Sequence, residues 1–225
     1  MCFPLLLAVV SIVSAAELKS SAARKVDEIS KMMDVVWIRH FAILDHPPDS
    51  PKLVGFTKTS TSLCGRLPAG NAYYCEKDHT IYYDSEFLEV LRRRIAADTG
   101  TDGDAAPVVA LAHEFGHAIY ARPGAYSNPR VNGYGQEKLA DCFAGVVVRE
   151  AFETGLMKAS DLREAEQTMI VIGEGLHFRE RSSRRHRTEY PNWRVRRDRF
   201  LSGLKRGPDG CALSPIENLS GGPAH

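Results

Sequence analysis

Apolar residues recur along most of the chain at the three- and four-residue spacing of an α-helix. In residues 17–43, Val26, Ile29, Met33 and Val36 fall on one side of a helix, and the prolines of DHPPDSP end the pattern. The same spacing predicts helices over residues 85–97, about 105–120, 135–156, 160–175 and 192–204. Residues 121–135 and 177–192 are polar and predict loops, and the chain from residue 207 is expected to be irregular.

Two stretches between the first and second helices are rich in residues that favour β-strands. They are residues 52–58 and 72–83. Within the second, NAYYC and HTIYYD predict two short strands joined by a turn at Glu76–Asp78. Together these elements predict an α+β fold that is mostly helical, with a small antiparallel β element.

The first sixteen residues differ from the rest of the chain. CFPLLLAVVSIV is an apolar run followed by small residues at Ser14–Ala16, which is the pattern of a secretory signal peptide and is short for a membrane span. No Lys or Arg precedes the run, so an uncleaved anchor or a buried N-terminal helix is the alternative. We expect a signal peptide over residues 1–16 and a single domain over residues 17–225. The mature protein is expected to be secreted or periplasmic, with no membrane span.

The composition is that of an ordinary globular protein. Of 225 residues, 44% are hydrophobic and 25% are charged, and the net charge of +1 predicts no nucleic-acid partner. Residues 179–206 are an exception, with eleven Lys or Arg against three Asp or Glu. A solvated helix and loop is the simpler interpretation of this run, and a contact with an acidic substrate or an anionic surface is the alternative.

Four cysteines remain if Cys2 leaves with the signal peptide, and four cysteines allow three disulfide connectivities. Cys64 and Cys75 flank a short loop that contains Gly and Pro, so we pair them with each other and Cys142 with Cys211. Buried free thiols are the alternative.

The stretch LAHEFGHAI carries the clearest chemical pattern. His113 and His117 are four residues apart, so on a helix both imidazoles can point at one metal ion. Glu114 can then reach a water molecule at that ion, which is the arrangement of an H-E-x-x-H zinc site. A surface helix with a solvated face of these three residues is the alternative.

A third ligand is needed, because catalytic zinc usually has three protein ligands and an open position. Glu137 follows His117 by twenty residues, and Asp141 lies four further on, on the same face of the next predicted helix. Glu137 can complete the ligand set while Asp141 accepts the ring N–H of a ligating histidine, most naturally His113. An exposed pair of carboxylates is the alternative. Ala112, Gly116 and Ala140 are small and would allow the two helices to pack closely.

These motifs resemble a known family. HEFGH followed by E-x-x-A-D resembles the gluzincin peptidases, and AYYCEKDHTIYYDSEFL, LAHEFGHAI and EKLADCFAGVV resemble the ordered motifs of the putative neutral zinc metallopeptidase family. The resemblance covers roughly residues 34–211. It implies a zincin-like metallopeptidase domain in which His113, His117 and Glu137 bind Zn²⁺ and Glu114 is the general base.

The sequence departs from that family at one motif. The family has a late H-[GP]-[ST]-x-x-x-R element, and the corresponding stretch here resembles YPNWRVR, so Tyr190 falls at the histidine and Arg196 at the arginine. Tyr190 or His186 is expected to stabilise the oxyanion of the transition state. The alternative for both is an exposed loop residue.

The expected function is that of a zinc-dependent endopeptidase, which hydrolyses peptide bonds with a metal-activated water and Glu114 as base. We expect a monomer that acts on a peptide or protein substrate. The HTIYYD strand is expected to be an open edge that pairs with the extended substrate. The alternative is a non-catalytic module of the same fold that binds zinc or a protein partner.

Overall fold

The computed structural model describes residues 21–41, 50–121, 133–174 and 191–212. This part of the chain contains six α-helices, five short strands and a 3₁₀ helix, and it confirms the mostly helical α+β prediction. The elements are α1 Ser21–Phe41, β1 Lys52–Phe56, β2 Ser60–Ser62, β3 Gly65–Leu67, β4 Ala72–Cys75, β5 Thr80–Asp84, α2 Ser85–Thr99, α3 Ala105–Ala121, α4 Gly133–Glu153, α5 Ala159–Glu174, α6 Trp193–Arg206 and the 3₁₀ helix Gly207–Cys211. The prediction of an irregular chain from residue 207 is therefore wrong for its first five residues.

The sheet is mixed rather than wholly antiparallel. Its order is β1-β5-β4, in which β1 is parallel to β5 and β4 is antiparallel to it. A separate antiparallel hairpin joins β2 and β3. The HTIYYD strand, β5, thus lies in the middle of its sheet, and the prediction that it forms an open edge is wrong. The reason is non-local: β1 covers the side of β5 that β4 does not.

Several helix boundaries have a visible local cause. The Asp84 carboxylate accepts a hydrogen bond from the Glu86 amide at 2.9 Å and caps the start of α2. Gly100 ends the same helix with a φ of 71°, in the left-handed region that favours glycine. The Asn192 side chain accepts hydrogen bonds from the Arg194 and Val195 amides and caps α6.

Helix α3 is the centre of the core. Its residues are buried on nearly every side, as expected for a helix that is apolar all round, and Pro107 is tolerated in its first turn because no intrahelical donor is needed there. Helix α4 crosses α3 at very short range. A Cβ atom on Gly116 would lie 2.5 Å from the Cα of Ala140, so only glycine fits at this crossing. The close packing expected from these small residues is present, and it brings the polar side chains of α3 and α4 together.

Two disulfides are present, Cys64–Cys75 and Cys142–Cys211, and both are the pairs expected from the sequence. The first ties the end of β4 to the segment before β3. The second ties α4 to the 3₁₀ helix that follows α6. Both bridges are compatible with an oxidising compartment outside the cytoplasm.

Within the described ranges, no helix is long and apolar enough to cross a membrane. The segment predicted as a signal peptide, residues 1–16, lies outside those ranges.

Candidate active site

His113 and His117 lie one turn apart on α3 with their rings close together. The ring centroids are 4.8 Å apart, and the ring planes are nearly perpendicular. His113 is 7% exposed and His117 is partly buried. The alternative of a solvated surface helix is therefore wrong.

Glu137 and Asp141 reach the histidines from α4. Glu137 lies between the two rings, with Oε2 at 3.3 Å from His113 Nε2 and Oε1 at 3.4 Å from His117 Nε2. Asp141 is fully buried, and its Oδ1 accepts a hydrogen bond from His113 Nδ1 at 2.9 Å. The alternative of an exposed carboxylate pair is wrong.

The donor set fits a zinc ion. His113, His117 and Glu137 each offer one ligand atom, and these atoms lie within 4.8 Å of one another. Two ligands at about 2.0–2.1 Å from a tetrahedral ion are separated by about 3.3 Å, which is close to both histidine–glutamate distances here. Because Nδ1 of His113 donates to Asp141, the neutral form of His113 has its Nε2 lone pair free to bind a metal.

Arg196 is a site residue whose role the sequence did not reveal. It extends from α6 and is only 6% exposed. Its Nη2 donates to Asp141 Oδ1 at 2.7 Å and its Nε donates to Asp141 Oδ2 at 3.0 Å. The two residues therefore form a bidentate ion pair. The interpretation of residues 179–206 as solvated is therefore wrong at Arg196. In the sequence, only its alignment with the arginine of the H-[GP]-[ST]-x-x-x-R element indicated that it could belong to the site.

Glu114 lies beside the three-donor cluster and is held by the sheet. Its Oε2 accepts a hydrogen bond from the backbone amide of Tyr74 in β4 at 2.8 Å. This contact joins the sheet to α3 and fixes the carboxylate in one orientation. No sequence pattern indicates this contact, because the two residues are forty positions apart and the donor is a backbone group.

Burial and hydrogen bonding shift the pKa values of the site residues in opposite directions. Burial raises the pKa of Glu114. Burial would also raise the pKa of Glu137, but hydrogen bonds from His113 and His117 outweigh it and hold that pKa well below its usual range. Burial would lower the pKa of His113, yet its hydrogen bonds to Asp141 and Glu137 raise the pKa to about 10. The pKa values of the two carboxylates are thus shifted in opposite directions, so that Glu137 stays ionised and Glu114 is more basic.

The two residues expected to stabilise the oxyanion, Tyr190 and His186, lie outside the described residues. Their role stays a prediction.

Comparison with known proteins identifies a family whose sequence model spans the candidate site. The sequence model of the family described as "Putative neutral zinc metallopeptidase" matches residues 9–189, a range that contains all three candidate ligands and Glu114 and ends before Arg196. It begins earlier and ends earlier than the range of 34–211 expected from the motifs.

Curated relatives of the chain occur in bacteria, and their names state no activity. "Uncharacterized protein YpfJ" of Escherichia coli (strain K12) is 28% identical over 187 aligned residues, which cover 72% of this chain and 62% of that protein. "Uncharacterized protein Rv2575" of Mycobacterium tuberculosis (strain ATCC 25618 / H37Rv) is 30% identical over 114 aligned residues, covering 43% of this chain and 37% of that protein. The chain therefore spans less than two thirds of the length of these relatives. No solved structure matches it.

The match of the family model covers most of the chain, and its zinc chemistry agrees with a His-His-Glu donor set at zinc spacing on two buried helices. The chain belongs to the putative neutral zinc metallopeptidase family.

Proposed function

We propose that the protein is a zinc-dependent endopeptidase in which His113, His117 and Glu137 hold the metal and Glu114 is the general base. The observation that carries the proposal is the position of the Glu114 carboxylate, which a strand amide holds beside a donor set at zinc spacing. When bound, zinc supplies a Lewis acid that polarises the scissile carbonyl and lowers the pKa of a water molecule.

Glu114 is suited to moving the proton. Its raised pKa makes the carboxylate a better base than an exposed glutamate, and the Tyr74 amide leaves one of its two oxygens to receive a proton. The same side chain then delivers that proton to the leaving amine. Tyr190 or His186 is proposed to donate a hydrogen bond to the oxyanion.

The edge of the sheet supplies a place for the substrate backbone. The Asp84 amide donates to Asn71 O at 3.0 Å, and with the register of β4 and β5 this directs the backbone groups of residues 71, 73 and 75 toward β5. Ala72 and Tyr74 therefore direct theirs toward the outer edge, on the side of Glu114. Among the described residues, β4 has no strand partner on that side. We infer that an extended peptide binds along this edge through the Ala72 amide and carbonyl and the Tyr74 carbonyl, since the Tyr74 amide already donates to Glu114. The substrate would thus pair with β4 and not with β5 as expected from the sequence.

We propose that the mature protein acts as a monomer in a secreted or periplasmic location. The two disulfides support the location, because such bonds persist in oxidising compartments.

One zinc ion per chain is expected in the purified protein. Replacing His117 or Glu137 with alanine removes one of three ligands, so each variant should lose most of its zinc at equal total metal. Elemental analysis of the wild type, His117→Ala and Glu137→Ala measures this. A matched control is Glu153→Ala at the exposed end of α4, which should keep one zinc. Equal zinc in all four proteins would refute the ligand assignment.

Peptide hydrolysis separates the proposal from a non-catalytic zinc-binding module. The test incubates a denatured protein with the zinc-loaded wild type and identifies the products by mass spectrometry, with and without a chelator. Internal cleavages that disappear with the chelator are expected of an endopeptidase. Tight zinc binding without any cleavage would favour the module instead.

A further inference from the structure

A second group of acidic side chains lies at the opposite end of α3 from the candidate active site. Asp102 is in the loop before α3, and Asp161 and Glu164 are in the first half of α5. One oxygen from each of these three carboxylates lies within 4.8 Å of the others. The start of α3 at Ala105 is eight residues before His113, about 12 Å along a helix, so the two groups are separate.

Glu164 is the central member of this group. It is 0% exposed, and its Oε2 accepts a hydrogen bond from the Ala105 amide at 2.9 Å, which caps α3. Its Oε1 is also buried and has no hydrogen-bond partner among the described residues. A buried carboxylate oxygen without a partner is costly, so this oxygen requires a positive group, which is either a proton shared with Asp102 or a bound cation.

The positive groups around the cluster are few. The Lys158 ammonium is 3.4 Å from Asp102 Oδ2 and 3.9 Å from Asp161 Oδ1, but its side chain is 66% exposed. Arg92 donates a hydrogen bond to the backbone carbonyl of Asp102 at 2.6 Å, and its ion pairs are with Glu89 at 2.8 Å and Asp104 at 4.0 Å. Burial would raise the pKa of Asp102, but the Asp104 amide and Lys158 outweigh it and lower that pKa. One exposed ammonium therefore faces the three carboxylates.

We propose that Asp102, Asp161 and Glu164 form a calcium site. Calcium binds oxygen ligands and accepts several carboxylates in irregular geometry, whereas magnesium usually takes one or two, and zinc favours nitrogen and sulfur. Half of the Asp102 side chain is exposed, so solvent can supply the waters that complete the coordination shell.

The ion connects three elements. It joins the loop that carries Asp102, the capped start of α3 and the first half of α5. This loop is already close to α2, since a Cβ atom on Gly103 would lie 2.1 Å from Arg92 O. Calcium thereby fixes the end of the helix that carries His113 and His117 without contacting either histidine.

Calorimetric titration of the zinc-loaded full chain with calcium tests the proposal, together with the thermal midpoint at rising calcium. We expect one calcium per chain with a Kd of about 10⁻⁴–10⁻³ M, typical of extracellular sites, and a midpoint that rises with calcium. Lys158→Gln removes the competing ammonium and should tighten binding by up to about fivefold. Glu164→Gln and Asp102→Asn should each abolish the heat of binding, whereas Glu166→Gln, on the same helix but paired with Arg197, should bind like the wild type.

Two results would overturn the site. One is the absence of calcium binding in both the wild type and Lys158→Gln, which would mean that Glu164 shares a proton with Asp102 instead. The other is wild-type calcium binding by both Glu164→Gln and Asp102→Asn. Zinc content, measured in parallel, should be unchanged in every variant, so the outcome does not depend on peptidase activity.

Discussion

Replacing Glu114 with glutamine is expected to abolish peptide hydrolysis while zinc content and fold stay unchanged. Glutamine has the same shape, and its side-chain oxygen can still accept the hydrogen bond from the Tyr74 amide. It cannot take a proton, and general base catalysis contributes about 10²–10⁴-fold to such reactions. The measurement is kcat/KM on a labelled denatured protein, with elemental zinc and circular dichroism on the same samples.

Glu153→Gln provides the matched control. Glu153 is at the exposed end of α4, where it pairs with Arg149. The same chemical change there should leave kcat/KM within experimental error of the wild type. If Glu114→Gln retains wild-type turnover with zinc bound, Glu114 is not the base.

The second large effect is expected at Asp141. Asp141→Asn weakens the hydrogen bond that supports His113, so zinc affinity should fall by about 10–100-fold. It also removes the main charge partner of the buried Arg196 guanidinium, which keeps only the longer contact to Glu137 at 3.5 Å, and breaking a buried pair costs up to about 3–5 kcal/mol in the free energy of unfolding. Zinc titration and denaturant unfolding measure the two losses separately. Activity should recover in part when zinc is added in excess.

A double variant distinguishes the two roles of Asp141. Asp141→Asn combined with Arg196→Gln removes both buried charges, so much of the unfolding free energy should return while zinc affinity stays low. If Asp141→Asn instead binds zinc as tightly as the wild type and shows only a raised KM, Asp141 contacts substrate and its assignment here is wrong.

The parts of the site that follow helical periodicity could be predicted from the sequence. His113 and His117 share a face because they are four residues apart, and Glu137 and Asp141 share one for the same reason. The apolar residues that flank both pairs predicted burial, and Gly116 indicated that the two helices could pack closely. Local spacing on two adjacent helices was sufficient to bring these residues together.

Contacts between distant elements could not be predicted in the same way. Nothing local to HTIYYD shows that β1 pairs with β5 and leaves β4 at the edge. The polar three-residue strands β2 and β3 carry no hydrophobic alternation to detect. Arg196 sits in a basic run, and only the approach of α6 to α4 turns one of those charges inward. The carboxylates of Asp102, Asp161 and Glu164 likewise meet only because α5 packs against the start of α3.

Zinc titration of the metal-free protein tests the central claim most directly. Small additions of zinc are made while cleavage of a fluorescently labelled denatured protein is followed. The account predicts that the cleavage rate rises in proportion to added zinc and stops rising at one ion per chain, and that Glu114→Gln binds the same amount of zinc with no rise in rate. Saturation of the His113, His117 and Glu137 site without cleavage by the wild type would contradict it.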